Sequence, residues 1–363
     1  MLHTAPSTSS RSLNLTRLTD ISADVRTPVL CAPMAGASGG ALAAECTLGG
    51  GFGFLGAGTS RDSQLRDELS VAAARLSAQA KGTRLPVGVG FLGWQLDSGT
   101  WGADLIRVAL EQNVAAIWLA FGDNSNIAQW ARFIREHETP GPRTLLFLQT
   151  ASPSDALAAV EQWNADVIVA QGCESGGHGF ADAPPLMSLL PAMRAALPAE
   201  VPVVVAGGLA TGSQLAGMLT MGAAGAVYGT RFLLSPESKY SDGQRAALLA
   251  ASSASTVRTM AFDHVRGTLG WPAGVDGRGI RNETVADFES GGDRDEMRRK
   301  FQQALKQDDT SRTIVWAGTG VGLMDTVKPA KDIVKELHED CVRYMAAVTH
   351  VFNPAELNEG PKL

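Results

Sequence analysis

Eight short runs of β-branched and aromatic residues recur along the chain, separated by segments whose apolar positions follow a helical period. The runs predict strands at Val29–Ala32, Phe52–Leu55, Val87–Phe91, Ala116–Ala120, Leu145–Gln149, Val167–Ala170, Val203–Ala206 and Ala226–Tyr228. Helices are predicted between and after them, near 40–48, 63–80, 103–112, 125–137, 154–163, 186–196, 213–221 and 242–251. Asp123-Asn124 and Ser152-Pro153-Ser154-Asp155 carry helix-start chemistry, an oxygen to cap free N–H groups and a proline suited to the first turn. The strands are almost continuously apolar, as parallel strands covered on both faces must be. Eight such units over about 200 residues predict an α/β fold, a (β/α)8 TIM barrel, ahead of a doubly wound sheet.

A barrel of this kind places function at the C-terminal ends of its strands. Those ends read Ala-Pro-Met-Ala-Gly at 32–36, Gly-Ala-Gly at 56–58, Gly-Phe-Leu-Gly at 90–93, Gln-Gly-Cys-Glu-Ser-Gly-Gly-His at 171–178, Ala-Gly-Gly at 206–208 and Gly-Thr-Arg at 229–231. Beyond 236 the pattern changes. Residues 252–290 have no clear helical or strand period, 292–312 read as a charged surface helix, and a last helix is predicted near 328–348. The expected division is a tail over 1–26, the barrel over 27–235, an excursion across the barrel mouth over 236–312, and a returning segment over 313–363.

Composition narrows the classes. The 363 residues carry 31 Lys plus Arg against 37 Asp plus Glu, a net charge of −6 with no basic run, which excludes a protein built to grip nucleic acid. Val201 to Thr230 holds no charged residue, but its glycines and the Thr211-Gly212-Ser213 break read as a buried strand, a turn and a small-residue helix, so no membrane span is expected. The four cysteines, at 31, 46, 173 and 341, form no CxxC pair and fit free thiols in a reducing, cytoplasmic setting. The acid-free first 19 residues have a weak mitochondrial character, and the terminal Pro-Lys-Leu a weak peroxisomal one.

Two GxGxxG matches, at 51–56 and 88–93, overlap strands instead of following them, so a dinucleotide fingerprint is rejected. Gly207-Gly208 and Gly229-Thr230 follow the last two strands, where barrels frequently bind phosphate through backbone N–H groups; the alternative is that they are only tight turns. His178, flanked by glycines, reads as a loop residue able to take a proton at neutral pH. Cys173 lacks an evident partner and reads as a small core thiol. No metal-ligand spacing appears.

These blocks resemble the nitronate monooxygenases, formerly called 2-nitropropane dioxygenases, from Pro28 to about Met345. The resemblance rests on 32–36, on Ala-Gln-Gly-Cys-Glu-Ser-Gly-Gly-His at 170–178, and on Ala-Gly-Gly-Leu-Ala at 206–210. Gly-Thr-Arg-Phe at 229–232, Thr-Val-Arg-Thr at 256–259 and Trp-Ala-Gly-Thr-Gly-Val-Gly at 316–322 extend it. It implies a TIM barrel holding non-covalent FMN, with Ala32, Pro33 and Met34 along the isoalloxazine and Gln171 hydrogen-bonded to it. Gly176, Gly208, Tyr228, Gly229 and Thr230 would surround the ribityl phosphate. His178 would be the base that removes the α-proton of a neutral nitroalkane, and dioxygen would complete conversion of the nitronate to a carbonyl compound and nitrite. The implied partners are a small nitronate or nitroalkane and dioxygen, with a homodimer left open. The chain departs from the family in having Gly90 where many members have Asn, and Gly-Ala-Ser-Gly-Gly after Met34. An NAD(P)H-dependent FMN reductase of the enoyl- or quinone-reductase type is the alternative, followed by a flavin-binding protein without chemistry.

Overall fold

All eight predicted strands form, and they close on themselves. The computed structural model describes residues 25–349, apart from 59–60, 78–83, 100, 139–140 and 142. The expectations for the N-terminal tail and the terminal tripeptide therefore lie outside the described residues, apart from Val25 and Arg26.

The strands, in chain order, are β1 (Val29–Cys31), β2 (Phe52–Gly56), β3 (Leu85–Leu92), β4 (Val114–Ala120), β5 (Leu145–Thr150), β6 (Val167–Gln171), β7 (Gly177–Phe180), β8 (Val203–Ala206), β9 (Gly225–Tyr228), β10 (Thr256–Thr259) and β11 (Val275–Ile280). A closed parallel barrel runs β1-β2-β3-β4-β5-β6-β8-β9, and the register Cys31 to Tyr228 joins its last strand to its first. This is the TIM barrel that the periodicity predicted. Helices lie between the strands, and Ala330–Thr349 packs on the helices Gly212–Thr220 and Gly40–Leu48 to complete the outer layer.

The barrel is a packed core, not a pore. Phe54 stands at its centre with its ring edge-on to Phe52, Trp118 and Phe147, each at a centroid distance of 5.1 Å. Gly88 on the neighbouring strand makes that possible, because a Cβ there would sit 2.2 Å from the Phe54 ring. The glycines of the second GxGxxG match thus serve close packing of the wall. On the outer face Val29, Val89, Ile117, Ile168 and Val205 are buried under the helices, each contributing ~1.5–3 kcal/mol. Helix starts follow the sequence: Asn126 N–H donates to Asp123 Oδ1 at 2.9 Å, and Asp155 N–H to Ser152 Oγ at 3.3 Å ahead of Pro153.

Val201 to Thr230 folds as β8, a turn capped by Thr211 and Gln214, and the helix Gly212–Thr220. Among the described residues no helix is long and apolar enough to cross a membrane.

Two readings change. Residues 252–290, which lacked a readable period, contain β10, β11 and the helices Ala261–Arg266 and Glu283–Glu289. Short elements rich in Gly, Thr and Arg leave no periodic trace over so few residues. The loop assigned to His178 is also ordered as a strand: β7 pairs antiparallel with β11, which pairs with β10 in a three-stranded sheet. Glycines on both sides of His178 suggested a loop, yet in this short strand the second of them makes room for side chains: a Cβ on Gly179 would sit 3.0 Å from Ser175 Oγ and 3.1 Å from Gln171 Oε1.

Candidate active site

A cavity of about 690 Å³ opens at the C-terminal ends of the barrel strands, walled on its outer side by residues between 240 and 316. Ala32, Pro33, Met34, Gln171, Gly176, Gly207, Gly208, Gly229, Thr230 and His178 all line it. Tyr228 does not. Its ring is wholly buried in the strand–helix layer and its hydroxyl donates to the Thr211 carbonyl at 3.0 Å, so only its backbone stands near the mouth. Side chains alternate faces along a strand, and Tyr228 falls on the outward face.

One side of the cavity is backbone. Gly207 and Gly208 follow β8 with φ of +130° and +66°, conformations that L side chains rarely adopt. A Cβ on Gly208 would meet Glu174 Cβ and Thr319 Oγ1, both at 2.8 Å, and one on Gly176 would fall 2.4 Å from Gly318 N. Three loops, after β6, after β8 and around 318, therefore meet through glycines. Thr230 Oγ1 accepts from Gly318 N–H at 3.0 Å, leaving its own proton to donate. The Ser175 hydroxyl is buried in this wall and has no hydrogen-bond partner.

The floor is a chain of amides. Trp118 Nε1 donates to Gln149 Oε1 at 3.2 Å, Gln149 Nε2 to Gln171 Oε1 at 2.9 Å, and Gln171 Nε2 to the His178 carbonyl at 3.2 Å. Gln171 retains a second N–H. Pro33 leans against β3, where a Cβ on Gly90 would sit 2.3 Å from Pro33 Cβ. An Asn at 90 would displace Pro33, so the departure at Gly90 and the position of Pro33 are one feature.

Across the barrel, beyond β3 and β4, the wall is aromatic. Trp271 packs against Trp94 at 5.2 Å and Phe121 at 5.4 Å, and Phe121 holds a positive φ of 56°. The His178 ring stacks on Trp271 at 3.6 Å with planes 15° apart, and the edge of Trp316 closes in at 5.0 Å. His178 Nε2 lies 3.0 Å from both oxygens of Asp263. Asp263 is wholly buried, and its Oδ1 also accepts from Thr268 Oγ1 at 2.7 Å and from Trp271 Nε1 at 3.0 Å. Burial acts to raise the Asp263 pKa; the donors, His178 foremost, outweigh it and hold the carboxyl below the usual carboxylate range.

Sequence reasoning missed Asp263, Thr268 and Trp271, and with them Gln149 and Trp118. The available signal for Asp263 was one acid inside the apolar Ala-Phe-Asp-His-Val stretch, where a buried charge needs a partner. The neighbouring His264 packs at a tilt against Phe288, outside the cavity. Cys173 proves half-buried on the loop after β6, not a core thiol. Among the described residues no group of three acidic, His or Cys side chains could hold a metal.

The chain is similar to known proteins over nearly all of its length. Residues 16–340 match the nitronate monooxygenase family pattern. A nitronate monooxygenase of Neurospora crassa is 33% identical over 93% of this chain and 95% of its own length. Among solved structures, nitroalkane oxidase of Streptomyces ansochromogenes superposes with a TM-score of 0.73 at 26% identity, covering 92% of this chain and 99% of that one. FabK of Thermotoga maritima gives 0.74 at 26% identity, covering 93% and 99%. The chain belongs to the nitronate monooxygenase family of oxidoreductases, enzymes that work with a flavin.

Proposed function

We propose that the chain binds FMN at the barrel mouth and oxidatively denitrifies alkyl nitronates to carbonyl compounds and nitrite with dioxygen. Neutral nitroalkanes enter the same route once His178 has removed a proton. The observation that carries this reading is one cavity joining a glycine-lined wall to a buried histidine–carboxylate pair.

The residues suit FMN. Gly208, with its positive φ, leaves bare backbone where a Cβ would fill the space between three loops, the kind of surface that takes phosphate oxygens. Ser175 offers a buried hydroxyl in want of a partner, and Thr230 a second one. Ala32, Pro33 and Met34 give an apolar edge, and the free N–H of Gln171 suits a ring carbonyl. When bound, FMN supplies the electron-accepting and dioxygen-reactive chemistry.

The chain's own residues do the rest. The aromatic wall of Trp94, Phe121 and Trp271 excludes water and holds an alkyl substituent. His178, fixed by stacking and by Asp263, accepts the α-proton; a preformed nitronate omits that step. The test is a visible spectrum of the FMN-loaded protein under anaerobic conditions. Bleaching with an alkyl nitronate, and none with NADH, is the expected result. Rapid bleaching with NADH alone would overturn it in favour of a reductase.

A further inference from the structure

The structure assigns Asp263 as the positioning residue that fixes the tautomer of His178, so that Nδ1, and not Nε2, is the atom that takes the substrate proton. This rests on the proposed proton removal by His178 and says how the site accomplishes it.

The argument begins with local folding. The six-residue helix Ala261–Arg266 ends at Gly267, whose φ of +73° turns the chain back, and the N–H groups of Gly267 and Thr268 both donate to the Asp263 carbonyl. That reversal brings Thr268 Oγ1 and Trp271 Nε1 onto the carboxylate of the same residue. Both are obligate or committed donors here: an indole nitrogen can only donate, and the threonine proton at 2.7 Å points at Oδ1. A carboxylate gathering these donors in a fully buried position stays ionised and can only accept. The nitrogen 3.0 Å from its two oxygens must then carry the hydrogen, which puts the proton of neutral His178 on Nε2 and the lone pair on Nδ1.

The ring cannot readily reverse these roles. Trp271 covers one face at 3.6 Å, and Trp316 presses the edge of the ring beside Gly277, where a Cβ would meet Trp316 at 2.6 Å. Asp263 lies 85 residues from His178 and reaches it only because β7 is a strand of the outer sheet. In the reaction the Cα–H bond of the nitroalkane breaks, its proton passes to Nδ1, and the electron pair forms the C=N bond of the nitronate. Asp263 keeps its charge throughout and faces the imidazolium that results, as in hydrolase triads.

The experiment compares wild type with Asp263→Asn, an isosteric amide that can donate to Nε2 and move the ring proton to Nδ1. The expected result is a loss of about 100-fold in kcat/KM for nitroethane, with about threefold or less on ethyl nitronate and unchanged FMN affinity. Exchange of the nitroethane α-proton with deuterated water should slow in parallel. Nitrogen-15 NMR of labelled histidine should show His178 protonated at Nε2 in wild type and shifted towards Nδ1-protonation in the variant; this readout stands whether or not nitronate is the substrate. Equal losses on both substrates, or wild-type tautomer in the variant, would overturn the assignment. Should Asp263→Asn fail to fold, Thr268→Val removes one donor from Oδ1 and should give the same substrate split at smaller size; no split would count against it. Absence of nitronate turnover by the wild-type protein would instead sink the functional reading, leaving the tautomer result to judge Asp263.

Discussion

The two sides of the cavity are built by opposite means. The side after β8 and β9 is backbone: Gly207, Gly208 and Gly229 stand at strand ends, and their contribution is the absence of side chains. The side beyond β3 and β4 is all side chain. His178, Asp263, Thr268 and Trp271 come from two stretches of chain that an antiparallel sheet brings together. The first can bind but has nothing with which to move a proton. The second, in the proposed reading, moves the proton but offers no backbone cradle. Binding and proton transfer should therefore separate under mutation.

The sharpest way to break that division is His178→Ala. Loss of a positioned base costs about 10²–10⁴ in rate, so kcat/KM for neutral nitroalkanes should fall by that order while FMN affinity stays put. Activity on preformed nitronate should survive. Steady-state nitrite release on both substrates, with FMN titrated by fluorescence, measures all three. A parallel fall in FMN binding would show that the two sides are not independent.

Gly208→Ala probes the other side. An L-residue at φ of +66° is strained, and its Cβ would press on Glu174 and Thr319. Forcing that conformation costs ~1–2 kcal/mol, so the FMN dissociation constant should rise about tenfold. Saturating FMN should restore nitroalkane turnover. If turnover stays low at saturation, the glycine side also governs the chemistry.

The same division explains what could be read from sequence. Strand periodicity located the barrel because each strand is buried on both faces, and glycine at a strand end is visible without knowing what lies opposite. His178 was visible for the same reason, as a lone titratable group among glycines. Asp263 was not, because its role depends on a register, Gly277 opposite His178, that no local pattern encodes. Tyr228 differs again: it sits at the strand end the sequence indicated, but its side chain takes the outward face, which a strand end alone does not reveal. Gly90 was noticed only as a departure, and its cause is Pro33, 57 residues away in sequence but in contact in space.

Trp271→Phe sharpens the side-chain half. The ring still stacks on His178 while the Nε1–H bond to Asp263 is lost. A net hydrogen bond is worth ~1 kcal/mol, so kcat/KM for the nitroalkane should fall about fivefold further than for the nitronate, which shares the aromatic wall but needs no proton removed. Asp263 also titrates below its ordinary value, so the stability it provides is present above the usual carboxylate pKa and is lost as pH falls through the lowered value. Removing a donor raises that value. The acid-unfolding midpoint of Trp271→Phe, followed by circular dichroism, should therefore move to higher pH; an unmoved midpoint would mean that Trp271 acts by stacking alone.

The smallest effect separates the closed wall from the mouth, using thiols as reporters. Burial pushes Cys46 up to about 12 and Cys31 well above its ordinary value, and both are wholly buried, the first on a helix and the second on β1. Cys173, half-buried on the loop after β6, is raised by burial and by Glu174, with Arg278 and Arg258 pulling the other way. Since thiolate is the reacting form, iodoacetamide at pH 8 should modify Cys173 well before Cys31 or Cys46, read by peptide mass mapping. Because Cys173 is not in the cavity wall, nitronate turnover should change little. Its loop nonetheless carries Ser175 and Gly176, so FMN should slow the labelling by restraining that loop. Equal labelling of Cys46 would mean that the strand–helix layer opens as readily as the mouth, and the contrast between a rigid wall and an adjustable rim would fail.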